Sequence, residues 1–344
     1  MIKIIEPKFT EQEAKVLSDI VLSGHITRGP WTKKFSEAFA EFLGVKTIYT
    51  VCSGTTALYV ILKALNVEAK HVIVPALSFM ATIDTVILAG GIPVVVDVDE
   101  YYTMDPNQLE EAVKKYNPIC IIPVHLYGGM SDMDAIMDIA NRYNVYVLED
   151  AAQAHGASFK GKMAGAIGHV GAFSFYASKN VPMGEGGAIS SSDESILKAV
   201  NALIDFGDSP ALNVRITEFQ AALGFLGLQK LDQLNAIRIK NAEYYNKHLS
   251  DELIKPKQRE NSHHVYHLYT LRHKNRDHII ESLKKENIDA RVYYTYTLAG
   301  LRNALHLPLD NANRYINEFF SIPVHPYLAK EELEKIVSVI NSSL

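Results

Sequence analysis

The chain has 344 residues, 48% hydrophobic and 21% charged, enough for a large buried core and ordinary for a globular protein. A net charge of −5, from 34 basic and 39 acidic residues, leaves no electrostatic footprint for nucleic acid, and no polybasic run marks a membrane surface. The stretch MIKIIEPKFTEQEAKVL has no apolar core of signal-peptide length, and apolar runs such as PICIIPV from Pro118 are too short to span a bilayer. Two cysteines, Cys52 and Cys120, make no disulfide framework and suit a reducing compartment. The expectation is a cytoplasmic protein with no nucleic-acid or membrane partner.

In chain order, five short β-branched runs predict buried strands: TIYTV from Thr47, VIVPA from Val72, IPVVVDV from Ile92, ICIIPV from Ile119 and VYVLED from Val145. Helical patterns separate them. In TTALYVILKALN, residues Ala57, Leu58, Ile61, Leu62 and Leu65 share one face; ATIDTVILAG and DMDAIMDIANRY repeat the pattern. GAFSFYAS and GGAISSS add two strands, giving a mostly parallel, seven-stranded α/β sheet with helices on both faces. A long helical region from Ile216 leads out of it. The remaining pattern is a strand in VYHLYTLR, a helix in DHIIESLKKEN, a strand in DARVYY and a last helix from Lys330. This predicts a large domain over 1–235 and a smaller C-terminal α+β domain over 236–344, with no repeat or flexible linker.

In open α/β sheets, ligands bind at the carboxyl ends of the strands, and four such ends carry unusual residues. After Val51 comes Cys52-Ser53-Gly54-Thr55-Thr56 and a helix, an arrangement that suits a phosphate and equally an ordinary N-cap. The strand over 145–148 ends in Glu149-Asp150-Ala151-Ala152-Gln153, where a carboxylate could hold a protonated pyridine nitrogen or simply cap a following helix. Glu149 reads as a structural or solvent-facing partner. The strand over 172–177 leads to Ser178-Lys179-Asn180 and the glycines of GEGG. A partly desolvated lysine there is a nucleophilic amine, although a lone lysine after a strand is usually a solvated surface residue. After Pro75, Phe79 could stack on a ring or pack in the core.

Other chemistries are weaker. Residues 156–162 have the glycine and lysine spacing of a P-loop, but Met163 stands where a magnesium-binding hydroxyl is required. The glycines at 184 and 186 fail the dinucleotide-binding pattern at Ile189. His263, His264 and His267 lack a fourth zinc ligand, so no metal site is expected. His25, His125 and His155 sit near turns where substrate contact is conceivable. Cys52 reads as a packing residue.

The runs SGTTAL at Ser53, EDAAQAHGA at Glu149 and FSFYASKNVPMGEGGAI at Phe173 closely resemble the DegT/DnrJ/StrS family of sugar aminotransferases. The likeness extends through VLSGHITRGPWTKKFSEAFAEFLGV, PALSFMATIDTVILAGGIPVVVDVD, LNVRITEFQAALG and the C-terminal pattern ending in SIPVHPYLAKEELEKI. It implies the fold type I architecture of pyridoxal-5′-phosphate (PLP) enzymes. Carried across position by position, Lys179 would bind PLP as a Schiff base and Asp150 would pair with the ring nitrogen. Gln153 would lie by the phenolic oxygen, Phe79 would stack on the ring, and Gly54, Thr55, Thr56 and Ser174 would cradle the phosphate. Asn213 would reach the phosphate of a neighbouring subunit, which implies a homodimer with shared active sites.

The implied reaction moves an amino group from glutamate or a similar amino-acid donor to a keto-sugar, nucleotide-linked as in the family, in amino-sugar biosynthesis. Alternatives are a cyclitol or sugar-phosphate ketone as acceptor, a PLP-dependent sugar dehydratase, in which relatives carry histidine for the lysine, or a PLP-binding regulatory protein. Two departures bear on specificity. The stretch over 205–215 is shorter than its family counterpart, and Tyr293-Tyr294 stands where the family often has His-Tyr. Loops 23–31 and 205–213 are the expected specificity determinants.

Overall fold

A computed structural model of the protein describes residues 1–207 and 210–344. Its central sheet has eight strands, in the order Thr47–Val51, Gly187–Ser191, Val170–Ser174, Tyr146–Asp150, Cys120–Ile121, His71–Pro75, Ile92–Val96 and Leu305–His306. Only Gly187–Ser191 runs against the others. The seven expected strands are therefore present, and an eighth, two residues long, is added at the edge by the C-terminal third of the chain.

Strand side chains alternate between the two faces, and the core divides accordingly. Val72, Val74, Leu148 and Ile189 pack with helices Gly54–Ala64, Ala81–Leu88 and Glu194–Ile204. Ile73, Val147, Ala188 and Phe173 pack on the opposite face with helices Pro30–Leu43, Pro106–Tyr116 and Met133–Tyr143. The apolar stripe expected after Thr55 is buried as predicted, through Ala57, Leu58, Ile61 and Leu62.

A second, smaller core gathers Tyr245, Leu271, Ile279, Ile288, Phe320 and Ile336. Helix Glu218–His248 runs unbroken through residue 235 and feeds both cores. The C-terminal strands differ from expectation. In VYHLYTLR only Tyr269–Arg272 is extended and pairs with Phe319–Ile322, because residues 265–268 instead hydrogen-bond to Tyr127 and Gly128. DARVYY is reduced to a single bridge between Arg291 and Ser321, since its tyrosines turn into the cavity described next.

Candidate active site

The carboxyl ends of Thr47–Val51, His71–Pro75, Tyr146–Asp150 and Val170–Ser174 open into one cavity of about 840 Å³. Its floor holds Gly54, Thr55, Phe79, Asp150, Gln153, Ser174 and Lys179, so seven of the nine predicted residues meet there. Its roof is Ile4, Ile5 and Pro7 of the N-terminal segment, with Arg291, Tyr293 and Tyr294. That segment is tied down where the Ile2 N–H donates to the Asn287 carbonyl and the Asp289 N–H donates to the Ile2 carbonyl, each at 2.8 Å.

The first turn of helix Gly54–Ala64 is pressed against the strand beside it. A Cβ on Gly54 would lie 2.7 Å from that of Ser174, so only glycine allows this approach. Ser53 caps the helix by accepting from the Thr56 N–H at 3.1 Å. The Gly54 and Thr55 N–H groups precede the first intrahelical bond and lie at the cavity wall. Thr56 points elsewhere: its hydroxyl lies 2.9 Å from Ser53 Oγ and 3.2 Å from Cys52 Sγ, which makes Cys52 a packing partner.

Asp150 is the last residue of its strand and is buried. No helix follows, so it caps none; its carboxylate accepts from Thr82 Oγ1 at 2.9 Å and from the Ala152 N–H at 3.2 Å. Burial raises its pKa, against the pull of those two donors. Lys179 does not follow the strand directly. The strand ends at Ser174, and a turn closed by the Lys179 N–H donating to the Tyr176 carbonyl at 2.8 Å brings the side chain into the cavity. Burial pushes the Lys179 amine down to about 8, with Asp150 opposing. Lys179 is thus a half-buried lysine at the cavity wall rather than a solvated surface residue.

Gln153 Oε1 accepts from the Tyr127 N–H at 2.8 Å, and Gln153 Nε2 donates to the Tyr294 hydroxyl at 3.3 Å. Phe79 is 48% exposed, its ring 6.0 Å from that of Tyr294, so it is a cavity-wall aromatic rather than a core one. Asn213 is exposed and lies outside this cavity, its Oδ1 accepting from Arg215 Nε at 3.2 Å. The neighbouring Val214 carbonyl accepts from the Cys52 N–H at 2.6 Å, which sets this segment against the capped turn. Of the expected specificity loop over 205–213, positions 208 and 209 lie outside the described residues.

The other candidates resolve simply. Residues 156–162 enter a hairpin, Ser158–Phe159 with Lys162–Met163, not a strand-to-helix phosphate loop. Among the described residues there is no cluster of three metal-ligating side chains. His25 is exposed, and His125 is buried against Glu149. His155 is buried with its ring 5.2 Å from that of Phe175, and none of the three lines the cavity. The histidine that does line it is His267, which sequence reasoning weighed only as a metal ligand.

This fold and site define a PLP-dependent aminotransferase of fold type I. The chain belongs to the DegT/DnrJ/EryC1/StrS aminotransferase family, whose profile matches residues 7–341. Three curated relatives are similar to it over nearly their whole lengths. A pleiotropic regulatory protein of Geobacillus stearothermophilus is 33% identical, covering 95% of this chain and 92% of the relative. GDP-perosamine synthase of Caulobacter vibrioides is 31% identical over 92% and 91%. UDP-2-acetamido-2-deoxy-3-oxo-D-glucuronate aminotransferase of Pseudomonas aeruginosa is 32% identical over 99% and 100%. Among solved structures, an aminotransferase of this family from Brucella abortus superposes with a TM-score of 0.92 at 30% identity, covering 96% and 95% of the two chains.

Proposed function

We propose that this aminotransferase carries PLP on Lys179 and moves an amino group from an amino-acid donor, glutamate or a close analogue, to a nucleotide-linked keto-sugar. The observation that carries the reading is the convergence of Lys179, Asp150 and the open helix turn at Gly54 and Thr55 in one cavity. These residues fit the cofactor. The turn offers free N–H groups and a positive helix end to a phosphate, while the close approach of Gly54 to Ser174 brings a hydroxyl beside them. Asp150 offers a buried carboxylate to a ring N–H, and Phe79 offers a face to the ring.

When bound, PLP supplies the electron sink for breaking bonds at the donor's α-carbon. Lys179 Nζ would hold the cofactor and, once displaced from it by the donor's amine, would be free to take the donor's α-proton, a role suited to an amine that burial lowers to about 8. Asp150 would keep a proton on the ring nitrogen, and the Gln153 amide, fixed by the Tyr127 N–H, would stand at the ring edge. Tyr294 and the N-terminal segment shield these steps from bulk water.

A volume of about 840 Å³ has room for a cofactor and a sugar together, since small-ligand pockets commonly run to roughly 300–1,000 Å³. Arg291 and Lys3, both lining the cavity, suit an anionic substituent such as a nucleotide diphosphate. The names of the Caulobacter and Pseudomonas relatives support a nucleotide sugar over a free cyclitol. The exposed Asn213, outside its own cavity, suits a homodimer in which it serves the partner's site; a cytoplasmic location accords with two free cysteines.

The test is a coupled transamination assay with glutamate over nucleotide keto-sugars, cyclitol ketones and keto-sugar phosphates. Turnover is expected with a nucleotide keto-sugar and none with Lys179→Ala. Uniform inactivity with PLP bound would favour a regulatory role such as the name of the Geobacillus relative carries.

A further inference from the structure

His267 is buried, yet it lines both the main cavity and a smaller one of about 50 Å³ that also contains Lys179. Its proton is placed by a chain of hydrogen bonds whose direction can be read from one end. Asn235 Nδ2 donates to the His155 carbonyl at 2.9 Å, and a carbonyl can only accept. Gly156, at a φ of +85°, makes room for this bond, because a Cβ there would sit 2.8 Å from Asn235 Nδ2. With its amide so oriented, Asn235 Oδ1 accepts from Asn180 Nδ2 at 2.9 Å. That turns Asn180 Oδ1 toward His267, whose Nδ1 lies 3.1 Å away and must carry the hydrogen.

A neutral imidazole holds one N–H, so Nε2 is left as a bare lone pair. The groups facing His267 keep it neutral. Burial acts first, then the charges of Lys179 and Arg238, with His155 adding to them; all push its pKa well below the ordinary value. Arg238 Nη1 is itself buried and has no hydrogen-bond partner among the described residues. His267 therefore offers Lys179 an acceptor rather than a second cation.

We propose that His267 is a positioning residue for Lys179: the two share both cavities with no direct bond among the described residues, and the bare Nε2 is the acceptor to which Lys179 Nζ donates as the amine is aimed into the main cavity. The inference rests on the reading of Lys179 as the cofactor-binding lysine. No proton changes owner; the imidazole fixes where the amine points. Asn180, next to Lys179 in the chain, and Asn235, 55 residues further on, set the tautomer that makes this possible.

The experiment adds PLP to cofactor-free protein and follows the visible Schiff-base band against pH. His267→Leu is expected to lower the limiting rate roughly 10- to 100-fold, as misplaced reacting groups do, and to shift the midpoint to lower pH as the ammonium loses an acceptor. His267→Gln, which returns a carbonyl oxygen near the place of Nε2, is expected to recover most of the rate. Asn235→Leu frees the Asn180 amide to flip and should fall between them. Independently, ¹⁵N chemical shifts of the cofactor-free wild type should show His267 protonated at Nδ1 and bare at Nε2. A protonated Nε2, or a folded His267→Leu protein with an unchanged rate–pH profile, overturns the proposal. If the wild type forms no band, the cofactor reading of Lys179 fails instead, and the tautomer still decides the role of His267.

Discussion

Glu149 and Asp150 are neighbours on one strand, both carboxylates and both buried, yet they face opposite sides of the sheet and meet opposite treatment. Glu149 accepts from the Gly165, Ile167 and Gly168 N–H groups at 2.6–2.9 Å and lies 2.8 Å from His125 Nε2, so both of its oxygens are spoken for. Asp150 has one hydroxyl and one backbone N–H, and its remaining capacity opens on a cavity that holds Lys179. Burial alone therefore does not mark a functional carboxylate. What separates the two is whether the fold supplies enough donors to close the site. Glu149 holds a loop to the sheet; Asp150 keeps accepting capacity at the cavity wall.

Four substitutions break or sharpen this contrast. The largest effect is expected from Asp150→Asn, which should lower transaminase kcat roughly 10²- to 10³-fold, in line with losing a preorganised electrostatic partner, while Tm stays near wild type. An equal fall in Tm would place Asp150 with Glu149.

Lys179→Met tests the charge that shares the cavity with Asp150. An amine held at about 8, against an ordinary 10.5, costs the folded state stability at pH values below about 8. Removing it should stabilise the cofactor-free protein at pH 7 by at most roughly 3 kcal/mol, less whatever cavity water screens, with the gain shrinking as pH rises toward 10.5. Denaturant melts at pH 7 and pH 10 check this, and an equal gain at both would refute it.

Glu149→Gln should act in the opposite sense, removing roughly 1–3 kcal/mol of stability by turning an amide toward backbone donors. The surviving enzyme should keep a kcat within a few-fold of wild type. The smallest effect is expected from Thr82→Val, which removes one donor to Asp150 worth about 1 kcal/mol. The Asp150 carboxyl, already raised, should rise further, visible as a shift of the acid limb of the pH–rate profile to higher pH.

Much of this was legible in the sequence because its signals are local. The β-branched runs, the Ser53 turn, the acidic end of Tyr146–Asp150 and the lysine before GEGG each carry their meaning within about ten residues. Family motifs then turned four ambiguous strand ends into one site. Illegible parts depend on distant partners or on very short elements. Leu305–His306 is two residues long, and no periodicity shows in two residues. His267 acquires its role from Asn180 and Asn235, 87 and 32 positions away, linked through a carbonyl at His155. Thr56 belongs to the expected phosphate turn, where hydroxyls at a helix start serve caps and ligands alike, and its hydroxyl lies 2.9 Å from the capping Ser53 Oγ.

The edge strand Leu305–His306 has a consequence for anyone who would recombine this protein with its relatives. The chain leaves the large sheet along Glu218–His248, builds the small core, returns to lay a strand beside Ile92–Val96, and then departs again. Leu298, Ala299, Leu309 and Tyr315 pack into the large core, while Phe319 and Phe320, side by side, belong to different cores. A chimera joined at residue 235 would split a helix and graft a foreign strand onto the sheet. Exchange at this junction must therefore carry residues 298–319 with the large half, or redesign the strand-to-strand seam along Ile92–Val96.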